Sequence, residues 1–181
     1  MGEIEPNMQK YENYKEQFKR LDKAMKQGFL LEALFIEYAI LEDRTESILR
    51  YEGNSINSNR HISIDRKLKK IKTISREKDS LPNRYFQDDF IDRILDWKEK
   101  RNKLIHKLMD QVLTTDELLE LAEEGKELAR LLSNRANNYK RAVERKKRPK
   151  MQAQLKKDFK LILLFISFSS NLFKKSKKCE E

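Results

Sequence analysis

Apolar positions recur along most of this chain at spacings of three and four, the period of helices that pack on one side. Over residues 8–26, Met8, Tyr11, Tyr14, Phe18, Leu21 and Met25 make one stripe, and Gly28 marks a break after it. Residues 29–51 are apolar on more than one side, as Phe29-Leu30-Leu31 and Ala33-Leu34-Phe35-Ile36 show. That pattern predicts a helix central in its bundle, with Gly53 suited to the position just past its end. A polar loop rich in Asn and Ser follows at 54–59. A shorter basic helix then carries Ile64, Leu68, Ile71 and Ile74 on one face, with Arg66, Lys67, Lys69, Lys70 and Lys72 around the rest. Ser80 to Asn83, with Pro82, reads as a turn and helix start, and a fourth long helix is predicted from about Tyr85 to Gln111. Thr114 and Glu117 have the spacing of a capping box. They would open a fifth helix reaching about Lys147, with Leu118, Leu121, Leu128, Leu132, Ala136, Tyr139 and Val143 buried and Pro149 ending the pattern.

The fold class that follows is all-α. Few helix breakers (four Gly, three Pro) and 39% charged residues point the same way. The 181 residues suffice for one domain with a real core. We read residues 1–148 as a helical domain of four to five main helices with the short basic one. Residues 149–181 read as a C-terminal basic and apolar extension, a last helix plus tail. The stretch Phe159 to Phe173 is dense in apolar residues but also contains Lys160, Ser167, Ser169, Ser170 and Asn171. It is short and polar for a span of about 20 residues, so no stable membrane association is expected.

A formal net charge of +10 attracts polyanions, nucleic acid foremost. The single cysteine, Cys179, excludes an intramolecular disulfide and a CxxC zinc site. With a polar N-terminal segment lacking an apolar signal core, this leads us to expect a cytoplasmic protein. No metal or other cofactor is implied. A Gly-rich phosphate loop, HExxH and GxSxG are all missing from the sequence.

The chemistry gathers in the fourth helix. Phe90, Ile94, Trp97, Leu104 and Leu108 follow a four-three spacing whose missing member is Arg101. A guanidinium on a buried seam is costly without a partner or a wet cleft. Asn102 and His106, four apart, share a face of the same helix, which Leu95 and Met109 extend. In the second helix Glu37 interrupts the seam of Leu30, Leu34, Leu41 and Ile48, so register makes Glu37 and Arg101 candidates for a buried pair. Lys98, Lys103 and Lys107 surround the motif and could steer RNA towards it. Tyr38, Asp43 and Arg44 are weaker candidates, and Arg44 reads as part of a solvated edge with ordinary ion pairs. His61 reads as surface.

Arg101-Asn102-Lys103-Leu104-Ile105-His106 resembles the R-x4-6-H motif of HEPN domains, including the polar residue after the arginine. The resemblance covers residues 1 to about 147 and implies a HEPN-like bundle that dimerises through the motif face. Active members of that family are metal-independent endoribonucleases, many of them toxins of toxin–antitoxin pairs, abortive-infection proteins or other anti-phage defence effectors. It implies a catalytic Arg101 and His106, with Asn102 orienting the histidine or touching phosphate, and an antitoxin protein as a further partner.

Elementary chemistry fits that expectation. Cleavage by 2′-OH attack needs a base, an acid and a cation for the phosphorane charge. Histidine titrates near neutrality and arginine grips phosphate with two parallel bonds. One chain offers a single well-placed histidine, and a two-fold dimer would supply the second. Two other readings compete: a non-catalytic RNA- or protein-binding module, and a membrane-active toxin acting through residues 159–173.

Overall fold

The computed structural model describes the backbone of residues 6–53, 62–108 and 114–177, and the side chains of 8–53, 62–87, 89–108 and 114–149. The loop at 54–59, His61, Met109, Cys179 and the side chains of 159–173 lie outside the described residues. Among the described residues there are six helices and no strand: α1 (Pro6–Gln27), α2 (Leu30–Tyr51), α3 (Ile64–Ser75), α4 (Leu81–Tyr85), α5 (Asp88–Lys107) and α6 (Thr115–Lys177). The chain divides into two units, Met1–Lys140 and Arg141–Glu181. Every tertiary contact below lies within the first.

Local signals set the boundaries. Gly28 takes φ 73° between α1 and α2, and Gly53 takes φ 74° after α2, a region where a side chain is strained. The Ser80 hydroxyl accepts the Asn83 N–H at 3.1 Å and caps α4, whose first turn holds Pro82. At α6, Thr114 and Glu117 exchange bonds: the Thr114 N–H donates to Glu117 Oε2 at 3.2 Å and the Glu117 N–H to Thr114 Oγ1 at 3.3 Å. Those bonds hold the exposed Glu117 carboxyl below its ordinary range.

Two boundaries differ from the expectation. The fourth helix is two pieces, because Phe86 leaves the helical region (φ −129°, ψ 70°) and Gln87 is extended (φ −66°, ψ 151°) before a new start. α6 does not end before Pro149 but runs through it to Lys177. A proline removes one backbone donor and crowds one carbonyl, at about 3 kcal/mol. The good helix formers on either side (Arg145 to Arg148, then Lys150 to Lys157) offset that cost.

α2 is the centre of the first unit. Leu30, Ala33, Leu34, Ile36, Ile40, Leu41, Ile48 and Leu49 are all buried. α1 and α3 pack on α2, and α3 also packs on α4 and α5. Trp97 of α5, fully buried, donates its indole N–H to the Leu121 carbonyl of α6 at 2.9 Å. Asp22 of α1 meets Lys126 and Arg130 of α6, each at 2.8 Å. The stripe of α1 sinks only at its far end: Leu21 is buried, whereas Met8 and Tyr11 are 56% and 62% exposed. Among the described residues no helix is long and apolar enough to cross a membrane.

Candidate functional site

The seam of α5 behaves as its spacing predicts up to Trp97: Phe90, Ile94 and Trp97 are buried, and Leu104 and Leu108 are half-buried. Arg101 stands where the seam opens. Its guanidinium lies over the rings of Phe35 and Tyr38 of α2, 4.9 Å from each centroid, and Nη1 donates to Asn102 Oδ1 at 3.2 Å. Nε is buried without a hydrogen-bond partner. Burial lowers the Arg101 pKa from its ordinary value and the Tyr38 hydroxyl works the other way. Phe35 is 56% exposed, so the cation rests on an open aromatic ledge rather than inside the core.

His106 is exposed in the last turn of α5. Five residues along a helix carry it about 140° round the axis and about 7.5 Å along it from Arg101. Asn102 shares a face with His106 and its Oδ1 accepts the bond from Arg101.

Glu37 is buried, as its register requires, but it is not paired with Arg101. It is fully inaccessible and neither oxygen has a hydrogen-bond partner. It abuts Gly125 of α6, where an added Cβ would overlap Glu37 Oε2 and lie 2.6 Å from Trp97 Cζ2. Burial pushes its carboxyl up to about 8. Lys126 pulls the other way, but its ammonium is bound by Asp22. The expected pair fails because Glu37 faces Gly125 while Phe35 and Tyr38, on the outer side of α2, take the guanidinium. Loss of charge replaces pairing as the way this carboxyl is accommodated.

The three lysines expected to meet RNA divide. Lys98 is buried at 4% exposure, because four residues from Ile94 and next to Trp97 it falls within the buried face. Asp65 and Glu99 hold its ammonium at 2.6 and 2.7 Å, so it offers no free cation at the surface. Burial works to lower its pKa, but those bonds raise it overall. Lys67, read from sequence as lying off the apolar face of α3, is likewise buried on Glu42 and Glu46. Lys103 and Lys107 are exposed and line a groove of about 350 Å³ with Lys100. Its other wall is Glu117, Glu120 and Glu124, and Lys100 bonds Glu124 at 3.2 Å, so that groove is charge-balanced.

Arg44 was underrated by sequence. It is half-buried, its Nε donating to Ser133 Oγ at 3.2 Å and Nη1 to Asn137 Oδ1 at 3.3 Å, with the Tyr14 ring 3.4 Å beneath it. Burial lowers its pKa to about 10, and Asp43 beside it works the other way. Asp43 itself accepts bonds from Lys10 and the Tyr14 hydroxyl. The signal was available in the spacing: Arg44 stands one heptad from Glu37 and so shares its buried face.

Among the described residues no three His, Cys, Asp or Glu side chains gather to hold a metal ion. No family model, no curated protein and no solved structure matches this chain.

Proposed function

We propose that this chain is a metal-independent endoribonuclease with a HEPN-like bundle. It cleaves RNA by 2′-OH attack, as a toxin or anti-phage defence effector in the cytoplasm. The observation that carries the reading is the state of Arg101. Its guanidinium is set on Phe35 and Tyr38 beside Asn102, with Nε unpartnered and no carboxylate among its described contacts. A cation held this way is suited to a phosphate, which would be met through its Nη donors, Nε being buried. His106, exposed on the same helix, is the group to move protons.

The separation of Arg101 and His106 round α5 argues for a dimer. Two copies meeting across the ledge would cover Phe35 and put two histidines in one cleft. Lys103 and Lys107 serve at most as a rim to that cleft, since Glu117, Glu120 and Glu124 stand opposite them. A cognate antitoxin would act by blocking the same face.

The test is incubation of the purified protein with total cellular RNA in EDTA, beside His106→Ala and Arg101→Ala. Cleavage lost in both variants, leaving 2′,3′-cyclic phosphate and 5′-OH ends, is the expected result. Products with 3′-OH ends, or strict metal dependence, would overturn the mechanism. The same separation within one chain also favours a second reading, a binding module without catalysis. In that case wild type and both variants bind RNA and none cuts it.

A further inference from the structure

A cleft of about 590 Å³ lies between α1, α2 and α6, lined by lysines, arginines, tyrosines and amides with no Asp or Glu among the lining residues. Its volume is that of a small-ligand site. It stands on the other side of α2 from the Arg101 ledge: Arg44, Ser47 and Tyr51 fall about 120–180° round the helix from Phe35.

The cations of this cleft are not equivalent. Lys10, Lys15 and Arg50 are matched by Asp43, Glu12 and Glu46. Arg44 and Lys140 instead bond or stack on neutral groups, and the Asp43 carboxylate beside Arg44 is itself taken up by Lys10 and the Tyr14 hydroxyl. Arg44 is spread between Ser133, Asn137 and the Tyr14 ring, and the Lys140 ammonium lies 5.2 Å over the Tyr51 ring. Arg44 cannot swing away to find an anion in solution, because two hydrogen bonds and a stacked ring fix it; the anion must come to it. Tyr11, 62% exposed at the mouth, presents an aromatic face with nothing yet stacked on it among the described contacts.

We propose that this cleft binds a nucleotide unit, its phosphate on Arg44 and Lys140 and its base against Tyr11, with the side-chain amide of Asn137 at its polar wall. Fixed cations beside open aromatic rings are the pairing that single-stranded nucleic acid selects, since every base has a face to stack and every linkage a charge. A simple polyanion has use only for the cations, and an apolar peptide only for the rings. The ligand is either a free nucleotide or one residue of an RNA strand. The site is independent of whether the Arg101 face cleaves.

The test measures binding of the full chain to a labelled single-stranded 2′-O-methyl RNA, which lacks the nucleophile and cannot be cut, and separately to AMP. Tyr11→Ser changes an exposed side chain and Lys140→Ala a half-buried one, and Lys69→Ala removes the same charge from an exposed position of α3, which contributes nothing to the cleft lining. The expected result is that each cleft variant weakens binding by about fivefold or more, the size of one stacking or charged contact, while Lys69→Ala changes it by less than about twofold. If AMP follows the same pattern, the ligand is a free nucleotide; if only the oligonucleotide binds, it is a strand. Equal effects of Lys140→Ala and Lys69→Ala, or an unchanged affinity in Tyr11→Ser, would overturn the proposal. Loss of cleavage with this binding intact would count against the nuclease reading alone.

Discussion

The two sides of α2 treat charge in opposite ways. On the outer side, Arg101 lies on the exposed Phe35 and the Tyr38 ring with one nitrogen unsatisfied. On the inner side, towards α6, Glu37 and Arg44 are set into the seam, one with no hydrogen bond and the other held by hydroxyl, amide and ring. The outer group keeps its charge on two rings and one amide, with no carboxylate among its described contacts. The inner carboxyl is settled by keeping its proton, since burial pushes it up to about 8. The difference teaches that an interrupted seam marks buried polarity but does not say what meets it.

If that division is right, changes on the outer side alter chemistry and changes on the inner side alter stability. The largest effect is expected outside: His106→Ala and Arg101→Ala lower the cleavage rate by about 10²–10⁴-fold, with thermal midpoints close to wild type. A large drop in midpoint for either would break the comparison.

Next comes the pH dependence of the inner side. Glu37 binds its proton more tightly folded than unfolded, with a pKa of about 8 against 4.5. Its stabilising contribution is therefore complete below about 4.5 and is lost as pH rises through about 8. Unfolding free energy falls across that window by an amount on the order of a few kcal/mol. Denaturant titrations at its two ends should show the fall, and Glu37→Gln should flatten it. An unchanged slope in the variant would show that the carboxyl is not the cause.

Gly125→Ala sharpens the same point. Its methyl would press on Glu37 and Trp97, and overpacking of this kind costs about 1–3 kcal/mol. Thermal melting should record that loss while cleavage at a permissive temperature stays near wild type. Smallest is Thr114→Ala, which removes the reciprocal cap of α6 and should cost about 1 kcal/mol without touching either side of α2.

Much of the architecture was legible because its causes are local. The breaks at Gly28 and Gly53, the caps at Ser80 and Thr114, and the central place of α2 follow from short patterns. The interruption at Phe86 and the passage of α6 through Pro149 were not, because each balances one residue against its neighbours. The all-α class was readable; the finer bundle type rests on the motif resemblance. Within the candidate site, the half-buried place of Arg101 and the burial of Glu37 were readable from register. Their partners were not, since these depend on which helix lies opposite: Gly125 is a choice of α6, and Phe35 a choice of the outer side of α2. Lys98 was misjudged for a similar reason, a lysine in the right register being buried once Asp65 of α3 can receive it.

Trp97 is the only tryptophan in the chain, and its ring and the Glu37 carboxyl both abut Gly125. The molecule thus carries its own optical probe at the point where protonation matters most. Ionisation of the neighbouring carboxyl changes the field across the indole, so emission wavelength should follow pH in the folded protein with a midpoint near 8. Exchanging Glu37 for Gln silences that response while leaving the indole in place, which turns one buried contact into an internal gauge of the charge state of the seam.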